Sequence, residues 1–269
     1  MAVKSAIINV MEGASRKAAR SLIHDFGEVE HLQVSKKGPA DFVSNADLKA
    51  ERILRNELAK GRPDFAMLLE EGGSADAEQG GTSDRWIVDP LDGTTNFLHG
   101  LPHFAISIAH EQNGEIVAGI VHDPIREEFF WAEKGKGAYV NERRLRVSAR
   151  ARLSEALIAT GIPFKGRETH PRYMETLAAI VPQIAGIRRY GSAALDLAYV
   201  AAGRYDGFWE FGLEPWDIAA GIIMVREAGG LITAVDGRAN MMETGSVLAT
   251  NEPLHTDIGD ILRRAMRGD

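Results

Sequence analysis

The sequence predicts a two-part mixed fold: an α+β lobe carrying an antiparallel sheet over 1–145 and an α/β lobe over 146–269, joined as one compact unit. Three observations carry that prediction. The chain has 269 residues, 45% of them hydrophobic, enough for one sizeable core or two lobes sharing one. In the middle of the chain, hairpin signals separate short apolar runs, whereas beyond Leu145 strand-like and helix-like patterns alternate. No flexible linker, repeat or low-complexity tract divides the two parts.

The first element is a helix over 3–26, where Ile7, Val10, Met11, Ala14, Ala18, Leu22 and Phe26 fall at three- and four-residue intervals before Gly27. A second helix runs over 44–60. Ser44 with Asp47 forms a helix-start pair, Leu48, Ile53, Leu54 and Leu58 supply an apolar stripe, and Gly61 with Pro63 ends it. Strands are expected over 104–110, 115–123, 127–133 and 138–141, a meander punctuated by Asn113-Gly114, Pro124 and the glycines at 135 and 137. The second lobe then alternates: strand 156–160, helix 172–184, strand 187–190, helix 193–202, helix 216–228, strands 231–235 and 246–250, and a last helix 254–266.

Composition narrows the function. The chain contains no cysteine, which removes disulfides, thiolate metal sites and thiol nucleophiles, so any metal must be held by oxygen or imidazole. A formal charge of -7 argues against a nucleic-acid partner, which usually calls for a basic patch. No run of about 18 apolar residues occurs, and the first twenty residues space their apolar positions helically, unlike a signal-peptide core. The expectation is a soluble, cytoplasmic protein with no membrane partner. The eight histidines form no metalloprotease pair, and neither a phosphate-loop nor a nucleophile-elbow stretch is present.

The most informative stretch runs from Trp86 to Phe97, WIVDPLDGTTNF, where a short apolar strand ends in two aspartates three residues apart. Pro90 fixes its own φ and biases Asp89 toward extended geometry, so the chain can turn and aim both carboxylates into one pocket. Gly93 lets the backbone approach a ligand, and Thr94 with Thr95 suit the start of a helix whose free N–H groups face an anion. Two like charges about 4 Å apart repel by roughly 4 kcal/mol at an effective dielectric of 20. Divalent ions relieve that repulsion, and hard oxygen donors favour Mg²⁺. Glu70, Glu71 and Asp217 could complete the site. Taken alone, Asp217 reads as readily as a helix cap, Asp47 as dipole compensation in a first turn, and Glu70-Glu71 as a solvated turn. Beside the Asp89–Asp92 stretch, the ligand reading of Asp217 gains. Arg188-Arg189 and Lys36-Lys37 read as solvated pairs, either of which could face a phosphorylated substrate.

WIVDPLDGTTNFLH and, from Trp216 to Gly230, WDIAAGIIMVREAGG resemble the two signatures of the inositol monophosphatase family, and the resemblance covers almost the whole chain. GFWEFGLEPWDIAAG is most similar to its bacterial branch. Lys36, Asp47, Glu70-Glu71, Asp89/Asp92, Gly191-Ser192-Ala193, Glu210 and Asp217 follow the family in order and spacing. The resemblance implies a five-layer αβαβα sandwich of the sugar-phosphatase type, commonly homodimeric and inhibited by Li⁺. It implies two or three Mg²⁺ ions: one held by Glu70, Asp89 and the Leu91 carbonyl, a second bridged by Asp89 and completed by Asp92 and Asp217, and a weaker third near Glu70. A water on the metals, oriented and deprotonated with help from Thr94 and Asp47, would attack phosphorus in line with the ester oxygen, while the Gly93 and Thr94 amides hold phosphate oxygens. Asp92, the Ala193 N–H and Glu210 would read substrate hydroxyls. Leu69 stands where the family usually has a small residue, and if it shifts the loop, Glu71 could replace Glu70.

The expected reaction is thus Mg²⁺-dependent hydrolysis of a small phosphorylated polyol, with myo-inositol monophosphate the favoured substrate. Relatives with the same metal core cleave 3′-phosphoadenosine 5′-phosphate, fructose-1,6-bisphosphate or histidinol phosphate. A reading of another class is a protein-binding regulator associated with transcription, as in some bacterial relatives.

Overall fold

A computed structural model describes residues 3–28, 34–38, 41–163 and 170–267, with the side chains of 34–43 outside that description. The chain begins α1 (Ala6–Phe26), β1 (Val34–Gly38), β2 (Asp41–Ser44), α2 (Asn45–Gly61), β3 (Ala66–Leu69), β4 (Gly73–Ala75), β5 (Asp84–Asp92) and α3 (Thr94–Leu98). The meander follows as β6 (Ala105–Gln112), β7 (Glu115–Asp123), β8 (Glu128–Glu133), β9 (Gly137–Val140) and β10 (Arg143–Arg144). Then come β11 (Leu157–Thr160), α4 (His170–Ile180), β12 (Gly186–Arg188), α5 (Ala193–Ala201), β13 (Gly207–Glu210) and α6 (Pro215–Glu227). The last elements are β14 (Leu231–Thr233), α7 (Met241–Thr244), β15 (Val247–Thr250) and α8 (Glu252–Arg267).

Eight strands form one sheet in the order β10-β9-β8-β7-β6-β5-β3-β4, and five form another, β12-β11-β13-β15-β14. Strand alternation assigns their faces. Trp86 and Val88 of β5 enter the apolar cluster with α1 and α2, while Ile87 between them turns the other way, toward α5 and α6. In β13, Phe208 joins that same α5–α6 cluster, and Trp209 joins Tyr173 of α4 with Leu254, Ile258 and Leu262 of α8. The stack is therefore α1/α2, first sheet, α5/α6, second sheet, α4/α8, the five-layer αβαβα sandwich expected from the resemblance. Among the described residues, no helix is long and apolar enough to cross a membrane.

Several local expectations need correction. The first sheet is antiparallel except where β3 runs parallel to β5. Helix α4 gives way after Ile180 to a 3₁₀ turn, Val181–Gln183, because Pro182 has no N–H to continue the ladder. Strand β8 starts one residue late, since Glu127 adopts a left-handed turn conformation with φ 54°. Strand β13 escapes the period rule: Gly207, Phe208 and Trp209 are all buried, because both faces of its sheet are covered by helices.

Candidate active site

A cavity of about 500 Å³ opens where β5, α3, the start of α5, the end of β13 and the start of α6 meet. Its wall holds Glu70, Asp89, Leu91, Asp92, Gly93, Thr94, Gly191, Ser192, Ala193, Glu210 and Asp217, drawn from segments far apart in sequence.

How two aspartates three residues apart share one cavity is answered by the ladder. In a regular strand, positions 89 and 92 face opposite sides. Here the β5–β6 register shifts between Asp89↔Ser107 and Asp92↔Ala105, so three steps on β5 oppose two on β6. That one-residue bulge restores parity and turns both carboxylates inward. It falls at Pro90, which cannot donate to the ladder. The Leu91 amide then donates to Asp89 Oδ1 at 2.8 Å. Beyond Asp92 the chain enters α3 through Gly93 at φ 96°, where a Cβ would also lie 3.0 Å from the His103 carbonyl oxygen.

Asp92 is gripped by the start of α5. Its Oδ2 accepts the Ser192 hydroxyl at 2.6 Å and the Ala194 amide at 2.8 Å. Burial pushes the Asp92 carboxyl up to about 6, against the lowering effect of the Ser192 hydroxyl and the Ala194 and Ala193 amides. The Ala193 N–H, expected to meet a substrate hydroxyl, thus already lies close enough to Asp92 to act on it. Asp217, in the first turn of α6, accepts the Glu214 amide at 2.7 Å. Burial raises Asp217 well above the usual carboxylate range, with Asp92, Glu70 and Glu210 adding to it. Asp89 is raised well above that range by burial first, then by the charges of Glu70, Asp92 and Asp217. One oxygen from each of Asp89, Asp92 and Asp217 lies within 4.8 Å of the others. A cluster of oxygen donors, each resisting ionisation first because it is buried, with neighbouring acids adding to the effect at Asp89 and Asp217, is a chemical environment that fits a divalent cation.

Glu70 follows β3 directly. Its amide continues the ladder to the Val88 carbonyl at 3.2 Å, while Leu69 is buried in the α1/α2 core. The bulky residue before the acidic pair is thus absorbed by the core, and Glu70, not Glu71, lines the cavity. The Glu71 amide donates to Glu51 Oε2 at 2.8 Å. Glu51 was not singled out from sequence, although it stands one helical turn after Asp47 on the same face of α2, a spacing that could have found it.

Asp47 sits behind the wall. Its Oδ2 accepts the Ser44 amide at 2.9 Å and the Ser44 hydroxyl at 2.5 Å, closing the capping box of α2. Its Oδ1 accepts the Thr94 hydroxyl at 3.0 Å, and Thr94 Oγ1 is also 3.0 Å from the Leu91 carbonyl oxygen. Burial raises the Asp47 carboxyl despite hydrogen bonds from Ser44 and Thr94. Glu210 lies on the opposite wall at the end of β13. Among the described residues, Arg189 is the one cationic side chain lining the cavity, and no local pattern sets it apart from Arg188. Lys36 falls on β1, where side chains lie outside the described residues. Asn96 ties the two sides together, its Nδ2 donating to the carbonyls of His103 at 2.8 Å and Tyr190 at 2.7 Å.

The sandwich and the acidic cavity at its junction define a phosphomonoesterase of the sugar-phosphatase type. The profile described as the inositol monophosphatase family matches residues 3–267, and the chain belongs to that family. It is 54% identical over 261 residues to inositol-1-monophosphatase of Rhizobium meliloti (strain 1021), covering 97% of each chain. It is 44% identical to Nus factor SuhB of Pseudomonas aeruginosa, with 91% of each covered. The solved extragenic suppressor protein suhB from Bartonella henselae superposes with a TM-score of 0.93 at 53% identity, over 97% of this chain and 99% of that one.

Proposed function

We propose that the chain hydrolyses myo-inositol monophosphate to inositol and phosphate with Mg²⁺ in the acidic cavity. The observation that carries this is the convergence of Asp89, Asp92 and Asp217 within 4.8 Å, beside Glu70 and opposite Glu210. Glu70, Asp89, the Leu91 carbonyl, Asp92 and Asp217 would hold two or three ions, which supply Lewis-acid charge to the phosphoryl group and the departing oxygen. The chain's own part is proton handling and orientation. Thr94 passes its hydrogen bond to Asp47, whose burial-raised carboxyl is suited to accept the proton of an attacking water. The Gly93 and Thr94 amides would seat phosphate oxygens, Gly191 and Ser192 would shape the wall, and Glu210 would accept a hydroxyl of the polyol. The resemblance extends the reading to a cytoplasmic homodimer in which Li⁺ competes at a magnesium position. The lobe boundary near residue 145 belongs to the same reading. The test is phosphate release from inositol 1-phosphate, fructose-1,6-bisphosphate, 3′-phosphoadenosine 5′-phosphate and histidinol phosphate, with and without Mg²⁺. A strong preference for the adenosine nucleotide overturns the substrate assignment.

The relative named Nus factor SuhB favours a second reading, in which the chain also binds a protein partner in transcription. Asp89→Asn separates the two: hydrolysis is lost, and a cellular phenotype that survives the change belongs to binding.

A further inference from the structure

We infer that Gly161 is a positioning residue that sets the substrate class, by leaving open the space in which the Glu210 carboxylate lies. The inference rests on the proposal that Glu210 reads a polyol hydroxyl.

Strands β11 and β13 run parallel, with Thr160 paired to Trp209. One step further along, Gly161 stands beside Glu210, and side chains at neighbouring positions of parallel strands leave the same face of the sheet. A Cβ on Gly161 would overlap Cδ and both carboxylate oxygens of Glu210, the three atoms nearest to it. On the other side of β13, Glu210 is paired with Val247 of β15, so the glycine side is the one with room. Both Gly161 and Glu210 line the cavity. The backbone of Gly161 does not require glycine, since its φ lies outside the left-handed region. What the position demands is the missing methyl group. Any larger residue there would displace the hydroxyl acceptor while leaving the metal-binding acids in place, and so would trade selectivity for polyol monoesters against hydrolysis of phosphate esters that lack hydroxyls.

The experiment measures kcat/KM for inositol 1-phosphate and for p-nitrophenyl phosphate, with Mg²⁺, in the parent chain, Gly161→Ala, Glu210→Ala and the double variant. The readout is the ratio of the two values. Loss of one charged hydrogen bond lowers that ratio about 10- to 100-fold in each single variant. The double variant matches Glu210→Ala within about twofold, since the alanine at 161 acts only through the carboxylate that is already gone. If Glu210→Ala leaves the ratio unchanged, the hydroxyl-reading proposal fails and this inference with it. If Glu210→Ala lowers the ratio but Gly161→Ala does not, or the two losses multiply, the positioning role alone is overturned. Loss of both activities with a lowered Tm in Gly161→Ala also overturns it, because the added methyl group would then meet more than one movable side chain.

Discussion

Asp47→Asn and Ser44→Ala, compared side by side, separate a helix cap from a catalytic base. Asp47 is 1% exposed and serves two masters: Oδ2 accepts two donors of Ser44, and Oδ1 accepts the hydroxyl of Thr94. Ser44→Ala breaks the capping box by removing the Oγ that accepts from Ala46 and Asp47, at a cost of about 1 kcal/mol, roughly 2–4 °C in Tm for a chain of this size. Asp47→Asn keeps an oxygen for the Ser44 amide and loses the negative charge. Only Asp47→Asn removes the proton acceptor behind Thr94, and loss of a general base lowers kcat by roughly 10²- to 10⁴-fold. Because burial raises Asp47, the parent rate climbs as pH rises through its folded pKa, and that acid limb disappears in Asp47→Asn. The assay is phosphate release at saturating substrate and Mg²⁺, well below either Tm, with Tm read in parallel. Equal losses of kcat in the two variants refute the base assignment and leave Asp47 a cap.

Three further outcomes follow from the same geometry. Asp92, raised to about 6, contributes stability that is full below its unfolded value of 3.8 and lost as pH climbs through 6, so the metal-free chain loses Tm over that window. Since Asp92 ionises as pH climbs through about 6, the Tm gain on adding Mg²⁺ is larger above that pH than below it, and an equal gain on both sides counts against metal binding here. Asp89→Asn removes an acid whose ionised form is disfavoured by burial and by Glu70, Asp92 and Asp217, so it raises the Tm of the metal-free chain at neutral pH while abolishing hydrolysis; a lower Tm argues that the cluster is not repulsive. Gly93→Ala forces a side chain to φ 96° against the His103 carbonyl, at a cost of about 1–2 kcal/mol seen by denaturant titration, and an unchanged midpoint contradicts the strained turn.

The helices were legible because their apolar stripes follow one face: Met11, Ala18 and Leu22 of α1 are all buried, as the three-and-four spacing requires. The meander was legible from its turns, with Asn113 at φ 51° and Gly114 at φ 79°. Strand β13 was not, because a strand covered on both faces carries no alternation to read. Nor could the sequence give the bulge at Pro90, which depends on how β5 registers against β6. The acidic positions were visible as residue types in order, whereas their mutual distances depend on α6 crossing from the second sheet onto β5, β6 and β7. Gly161 and Glu51 carry no motif, and their meaning appears only when the atom beside each is known.

Three acids that local sequence reads either as caps or as ligands all sit at helix starts. Asp47, Asp92 and Asp217 each give one carboxylate oxygen to the start of a helix: to the Ser44 amide before α2, to the Ala194 amide of α5, and to the Glu214 amide before α6. A helix start offers amide donors and a partial positive charge, worth about 0.3–1 kcal/mol to a nearby anion. Those bonds fix the rotation of each carboxylate and partly offset the repulsion of a cavity in which Asp89, Asp92 and Asp217 are all raised. The other oxygen of Asp47 accepts from Thr94, and Asp92 and Asp217 each also offer one oxygen to the shared cluster. Preorganisation of this kind makes removal of a helix-start donor, rather than of an acid, the sharper test of the site: Ser192→Ala deletes the hydroxyl that donates to Asp92 at the N-cap of α5 and leaves the Ala194 amide in place. Mg²⁺ affinity should then fall with every carboxylate still present, and an affinity equal to the parent's would mean that the ions orient the acids, not the helices.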